Sequence, residues 1–300
     1  MIRTGIFGVL TCFVALACAF GVPGQAVRSV QSGQLVHGLW VWKSAEVLGA
    51  TRGAEGLRDF CGAQGINEVY VSVSARSEAG EERDLVHLIG ILHRAKVHVE
   101  ALLSSADADE AGKHRDTLLE HVRGIVEFNR RHPGERFDGI HLDVEPQQRP
   151  ENKGPGNLRF VPGLAEVFQA VRGVAEPAGM TVNADIQNKL LKGDLAERKM
   201  LLMSVPRVTL MMYELSSPAD GESAEQKADK AVRASQKFLE MAYDGLNERN
   251  VAEMAIALRT PDYGSLLPQM LKTLDEANRA NPHYLGWARH SYNDVLQAEH

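Results

Sequence analysis

Phe137-Asp138-Gly139-Ile140-His141-Leu142-Asp143-Val144-Glu145-Pro146 is the stretch on which the reading of this chain turns. On a strand, residues two apart share a face, so Gly139, His141, Asp143 and Glu145 point one way and Ile140, Leu142 and Val144 the other. The apolar set is suited to packing beneath helices, and the polar set to an interior. Interior strand faces are normally branched aliphatics and buried charges need partners, so three ionisable side chains on one face are poorly explained by stability. Same-face residues lie about 6.6 Å apart along a strand, which puts Glu145 at the C-terminal end and Asp143 one layer below. A neighbouring carboxylate raises the proton affinity of Glu145 and helps keep it an acid near neutral pH. A buried ion-pair cluster near a loop is the structural alternative for the same residues.

Outward from this segment, short β-branched apolar runs alternate with longer segments of helical spacing, the signature of parallel βα units. Eight strands are predicted, at residues 39–42, 68–73, 97–103, 139–144, 181–185, 208–213, 253–258 and 284–287. Between them, Leu85, Leu88, Ile89 and Leu92 fall at i, i+3, i+4, i+7, as do Leu164, Val167, Phe168 and Val171, and Leu267, Met270, Leu271 and Leu274. Further helices are predicted over 116–131, stopped by Pro133-Gly134, over 224–246, and from near Ser291. Eight strands with intervening helices predict an α/β protein, a single (β/α)8 TIM barrel. The phosphate-binding Gly-x-Gly-x-x-Gly turn often carried by the competing open doubly wound sheet is missing. A Pro/Gly-rich polar insertion, residues 146–157, follows the fourth strand directly. In a barrel that is the active face.

The 300 residues are 44% hydrophobic and 24% charged, an ordinary globular composition. With 33 Lys+Arg against 39 Asp+Glu and a net charge of -6, there is no basic excess to hold a phosphate backbone, so nucleic acid is not an expected partner. Arg3 followed by the apolar run from Ile6 to Leu16 reads as a secretory signal, too short for a comfortable membrane span. Residues 1–26 are the expected signal peptide, cleaved after Gly24-Gln25-Ala26; the alternative is lipid attachment at Cys18 within Ala15-Leu16-Ala17-Cys18. Residues 27–300 then form the barrel, a secreted or periplasmic monomer in the first case and a membrane-anchored lipoprotein in the second. Loss of Cys12 and Cys18 leaves Cys61 alone, read as inert core rather than nucleophile, and no internal disulfide.

With these residues placed, the chain resembles the family-eighteen glycoside hydrolases, the chitinases and endo-β-N-acetylglucosaminidases. Their fourth strand carries Asp-x-x-Asp-x-Asp-x-Glu, and Asp138-Gly139-Ile140-His141-Leu142-Asp143-Val144-Glu145 matches the first Asp, the Gly, the last Asp and the Glu. The resemblance implies a glycosidase acting on N-acetylhexosamine-containing glycans, with Glu145 as general acid. It implies that Asp143 orients the acetamido group, whose carbonyl oxygen attacks the anomeric carbon in place of an enzyme nucleophile. The family's sixth strand ends in Met-x-Tyr-Asp, and Met211-Met212-Tyr213-Glu214 closes the sixth strand here, so Tyr213 would hold the acetamido carbonyl with Glu214 near it. Its eighth strand ends in a Trp that floors the sugar subsite, which implies Trp287 in that place; aromatic faces suit the apolar side of sugar rings. No cofactor and no metal is implied. Two departures stand out: His141 replaces the middle Asp, and the third strand reads Glu100-Ala101-Leu102-Leu103-Ser104-Ser105 where the family favours Ser-x-Gly-Gly. If His141 donates to Asp143 it favours the ionised carboxylate and partly substitutes for the missing acid.

Trp42, at the end of the first strand, is a candidate for the same mouth or for rim packing. Arg259, at the end of strand seven where a two-carboxylate retaining enzyme would want its nucleophile, and Asn183 and Asp185 on strand five are polar candidates for substrate recognition, or for local salt bridges and caps. Two other readings stay open. His141, Asp143 and Glu145 with Glu100 or Asp185 form a donor set for a divalent cation in a phosphodiesterase. The third reading is a non-catalytic carbohydrate-binding barrel, suggested by the missing middle Asp.

Overall fold

The computed structural model describes residues 34–73, 79–154, 156–213 and 222–298. Its strands are β1 (Val36–Val41), β2 (Glu68–Ser72), β3 (His98–Ser105), β4 (Gly139–Val144), β5 (Thr181–Gln187), β6 (Arg207–Met211), β7 (Glu253–Arg259) and β8 (Tyr284–His290). Each pairs in parallel with the next, and β8 returns to β1, closing the barrel. The fold is the expected (β/α)8 barrel. The helices are α1 (Ser44–Gly49), α2 (Gly53–Gln64), α3 (Ala79–Arg94), α4 (Lys113–Arg131), α5 (Val161–Ala175), α6 (Leu195–Ser204), α7 (Ala224–Tyr243), α8 (Thr260–Tyr263), α9 (Leu267–Asn278) and α10 (Tyr292–Ala298).

The three apolar stripes read from the sequence lie on α3, α5 and α9 and are buried in one layer with Ile140, Leu142 and Val144 of β4. Each such side chain contributes about 1.5–3 kcal/mol by leaving water. Helix starts are encoded locally where capping boxes occur: Asp194 with Glu197 opens α6, and Ser223 with Gln226 opens α7. Helix α6 escapes periodicity because its apolar residues point all round, Leu201 and Leu202 buried while Leu195, Met200 and Met203 are exposed. Cys61 is buried, and burial pushes its thiol up to about 12, which leaves it unreactive. Among the described residues no helix is long and apolar enough to cross a membrane. Residues 1–26, with the expected cleavage site and Cys18, lie outside the described residues.

Inside the barrel a separate cluster of Trp40, Tyr70, Leu102, Ala257 and Ala288 is packed by Trp42 and Tyr213. Much of the rest of the interior is polar. Glycine makes room for it at Gly139, where a Cβ would stand 2.3 Å from Thr181 Oγ1 and 2.8 Å from Glu100 Oε1.

Candidate active site

The barrel interior is layered, and the layers are charged. At its N-terminal end Arg207 Nη2 donates to both oxygens of Glu68 at 2.9 Å. Glu100 stands above, fully buried, accepting from Asn183 Nδ2 and from Thr181 Oγ1 at 3.2 Å, with His98 Nε2 at 3.5 Å and Arg207 Nη1 at 3.8 Å. Burial opposes its charge, but hydrogen bonds from His141 and His98 and the charge of Arg207 hold Glu100 well below the usual carboxylate range. His98 is pushed up to about 9: desolvation opposes its charge and is outweighed by the Glu100 hydrogen bond and the charges of Glu68 and Asp138.

One layer up, His141 is shared by two carboxylates. Its Nδ1 faces Glu100 Oε2 at 3.0 Å and its Nε2 faces Asp185 Oδ1 at 2.8 Å. Tyr70 stacks on the imidazole at 3.7 Å between centroids, and Trp40 meets it edge-on at 5.9 Å. Burial disfavours the imidazolium, yet Asp185 and Glu100 push His141 up to about 10, so the ring is a cation at neutral pH. Trp40 Nε1 donates to the other Asp185 oxygen at 3.2 Å. This corrects one expectation: His141 has both nitrogens engaged elsewhere and does not donate to Asp143.

At the open end come the two acids. Asp143 is 8% exposed, and its Oδ1 has no hydrogen-bond partner among the described residues. Burial, then the charges of Asp185 and Glu145, raise it well above an ordinary aspartate. Glu145 is raised too, by burial first and by Asp185, although three amides donate to it: Gln187 at 2.7 Å, Gln147 at 3.0 Å, and Gln148. The loop after β4 that carries Gln147 and Gln148 is anchored by Arg149, which binds Asp109 at 2.8 Å, Glu110 at 2.9 Å and Glu151 at 3.2 Å. Tyr213 lies against the same group: burial and the charges of Asp185, Asp143 and Glu145 keep its phenol protonated. Arg259 sits 5.9 Å above the Tyr213 ring. Trp42 closes the β1 side, its Nε1 donating to His290 Nε2 at 2.7 Å; burial lowers the pKa of His290 and keeps it neutral.

Asp143, Glu145, Tyr213, His141, Asp185, Trp42 and Arg259 are thus brought to one end of the barrel or just beneath it. Asn183 is not at the mouth; it is spent on Glu100 in the layer below. Trp287 is a correction. Strand β8 runs on to His290, so Trp287 is mid-strand and faces the helices, stacked on His37 at 4.2 Å and donating to Asp275 of α9 at 3.2 Å. The aromatic groups at the mouth are instead Trp42, Tyr213 and His290, with Trp40 fully buried beneath them. Glu214 lies outside the described residues. Sequence reasoning passed over Trp40, Tyr70, Gln187 and His290. The two-residue period of Asn183, Asp185 and Gln187, which mirrors His141, Asp143 and Glu145, is the signal that marks Gln187.

The donor set argues against a cation. His141 offers a metal no lone pair, because both nitrogens face carboxylates. Glu68, His98 and Glu100 have ligand atoms within 4.8 Å of one another, but Arg207 already takes both Glu68 oxygens. The positive charge such acids require is supplied by Arg207, His98 and His141.

No protein-family model matches the sequence and no curated protein matches it. Solved structures do match. A GH5_18 variant from Streptomyces cattleya, in complex with Manβ1-4GlcNAc, aligns at TM-score 0.61 and 11% identity over 86% of this chain and 70% of that one. A chitinase from Bacteroides thetaiotaomicron aligns at TM-score 0.53 and 12% identity over 88% of this chain and 93% of that one. A GH18 chitinase from Pseudoalteromonas aurantia gives TM-score 0.53 and 12% identity over 88% and 98%. The chain spans 50% of the Bacillus cereus spore cortex-lytic enzyme SleL, at 12% identity and TM-score 0.46. At such identities the likeness is one of fold: the protein has the barrel fold of these glycoside hydrolases.

Proposed function

We propose that the protein is an exported glycoside hydrolase of the family-eighteen kind, divergent in its fourth strand, acting on N-acetylhexosamine-containing glycans such as chitin fragments, peptidoglycan or N-glycans. One observation carries the reading: Asp143 and Glu145 are successive inward side chains at the open end of a closed barrel, both with proton affinity raised above that of an ordinary carboxylate, by burial first. Glu145 gives its proton to the leaving glycosidic oxygen as the C–O bond breaks. The substrate's own acetamido carbonyl oxygen forms the new bond to the anomeric carbon, and water later displaces it, returning a proton to Glu145. Asp143, with its open Oδ1, is the acceptor for the acetamido N–H, and the Tyr213 hydroxyl steadies the carbonyl oxygen. Trp42 and Arg259 line the entry. The chitinases and the GlcNAc-containing complex among the structural neighbours support the substrate class, and the apolar N-terminal run supports export.

The test is a screen of peptidoglycan, chitin fragments and N-glycans with wild type beside Glu145→Gln and Asp143→Asn. Hydrolysis is expected with wild type, falling about 10²–10⁴-fold in Glu145→Gln. Unchanged rates in both variants on every glycan cleaved would refute the assignment. Binding of N-acetylglucosamine oligomers without cleavage, equally tight in Glu145→Gln, would identify a binding barrel instead.

A further inference from the structure

The ladder between β4 and β5 points past its last paired residues. His141 lies opposite Asn183 and Leu142 opposite Ala184, so Asp143 and Asp185 follow as neighbours on strands about 4.8 Å apart. Both carboxyls face inward, 8% and 2% exposed, and at that spacing two carboxyls do not both ionise without compensation. The compensation is one-sided. Asp185 faces His141 Nε2 at 2.8 Å with one oxygen and receives the Trp40 indole N–H at 3.2 Å with the other, whereas Asp143 Oδ1 has no donor among the described residues. Glu100 is answered from below by His98 and Arg207 as well as by His141, so Asp185 is the carboxyl of this group that lies beside Asp143, one strand away.

We propose that Asp185 is a positioning residue: its carboxyl, fixed between His141 and Trp40 one strand from Asp143, acts through its charge on the two acids of the mouth, Asp143 and Glu145. The inference rests on the acid role given to Glu145 above. The groups that face Asp185 are consistent with it. His141 of β4 is its cationic partner, with Glu100 of β3 behind. Tyr70 of β2 and Tyr213 after β6 are phenols held protonated by burial, and His290 of β8 is held neutral by burial. Thr209 of β6 pairs with it in the sheet, and Arg259 of β7 is stationed over the Tyr213 ring. The groups left to respond to the charge of Asp185 are the two acids of the mouth.

The experiment is a ¹³C NMR titration of the Asp143 and Glu145 carboxyls without substrate, in wild type, Asp185→Asn and Trp40→Phe, beside the pH profile of glycan hydrolysis. In Asp185→Asn both carboxyls are expected to lose their protons about 1 pH unit lower, with the alkaline limb of kcat/KM moving the same way. Trp40→Phe removes a hydrogen bond to Asp185 but not its charge, and leaves both titrations in place. A folded Asp185→Asn with unshifted titrations overturns the proposal, as does Trp40→Phe shifting them equally. Should Asp185→Asn fail to fold, the wild type decides: Asp185 ionised while Asp143 is protonated at the same pH supports the proposal, and the reverse overturns it. Absence of turnover on every glycan would count against the proposed function alone, because the carboxyl titrations need no substrate.

Discussion

Glu145 has its proton affinity set by opposing neighbours. Burial and the charge of Asp185 raise it; the amides of Gln187, Gln147 and Gln148 donate to its oxygens and favour the ionised form. Gln187, on the rigid end of β5, is the donor that a substitution removes without disturbing the loop after β4. Gln187→Leu is expected to let Glu145 keep its proton to higher pH, so that the alkaline limb of the hydrolysis profile moves up, opposite to Asp185→Asn. A downward shift in the pH dependence of kcat/KM would show that the amide does not act on Glu145 as a donor. Tyr213 belongs at the same scale. It was legible as the end of a Met-Met-Tyr-Glu strand, but its place among three acids depends on where β6 stands in the barrel.

At the scale of elements, β4 and β5 work as a pair. Gly139, His141, Asp143 and Glu145 run beside Thr181, Asn183, Asp185 and Gln187, and except at Asp143, whose Oδ1 is left open, each polar side chain of one strand is answered by the other or by β3. Gly139 is the residue that lets this stack begin, since Thr181 and Glu100 occupy the space of its missing Cβ. Gly139→Ala is expected to lower stability by about 1–3 kcal/mol through overpacking, read as a fall in the urea midpoint at unchanged m-value. A neutral result would mean that Glu100 moves freely at the barrel floor. The alternation of β4 was plain from its sequence because polar and apolar residues take strict turns. Strand β8 was misjudged for the opposite reason: in Tyr284-Leu285-Gly286-Trp287-Ala288-Arg289-His290 no alternation marks an inner face, and the true end, three residues on, brings His290 to the mouth instead of Trp287. Helix α6 was missed because its apolar residues are not confined to one stripe.

For the whole molecule, the buried charges couple folding to pH. His98 and His141 hold protons to about 9 and about 10 in the fold, against 6.5 when exposed. Their contribution is thus fully present below about pH 6.5 and is lost as pH rises toward 9–10. Asp143, raised above 3.8, acts in the same direction, costing stability once pH climbs past its unfolded value. Glu100 is depressed from 4.5, so its contribution is present above that value and lost as pH falls through its folded one. Urea unfolding is expected to show a midpoint that declines steadily from pH 6.5 to 10; a flat profile across that window would mean the imidazoles are not cationic in the fold.

The sequence by itself determined the strands, most of the covering helices, their order and hence the barrel, and it singled out Asp143 and Glu145. Those features depend on alternation and helical spacing over a few residues, which the chain carries wherever it folds. Only the tertiary structure decided which partners those acids meet. His141 and Asp185 are 44 residues apart and Trp40 and Asp185 are 145 apart, and nothing local to any of them fixes the contact. Closure of the sheet and the register between neighbouring strands do so, because they alone set which inward side chains share a layer.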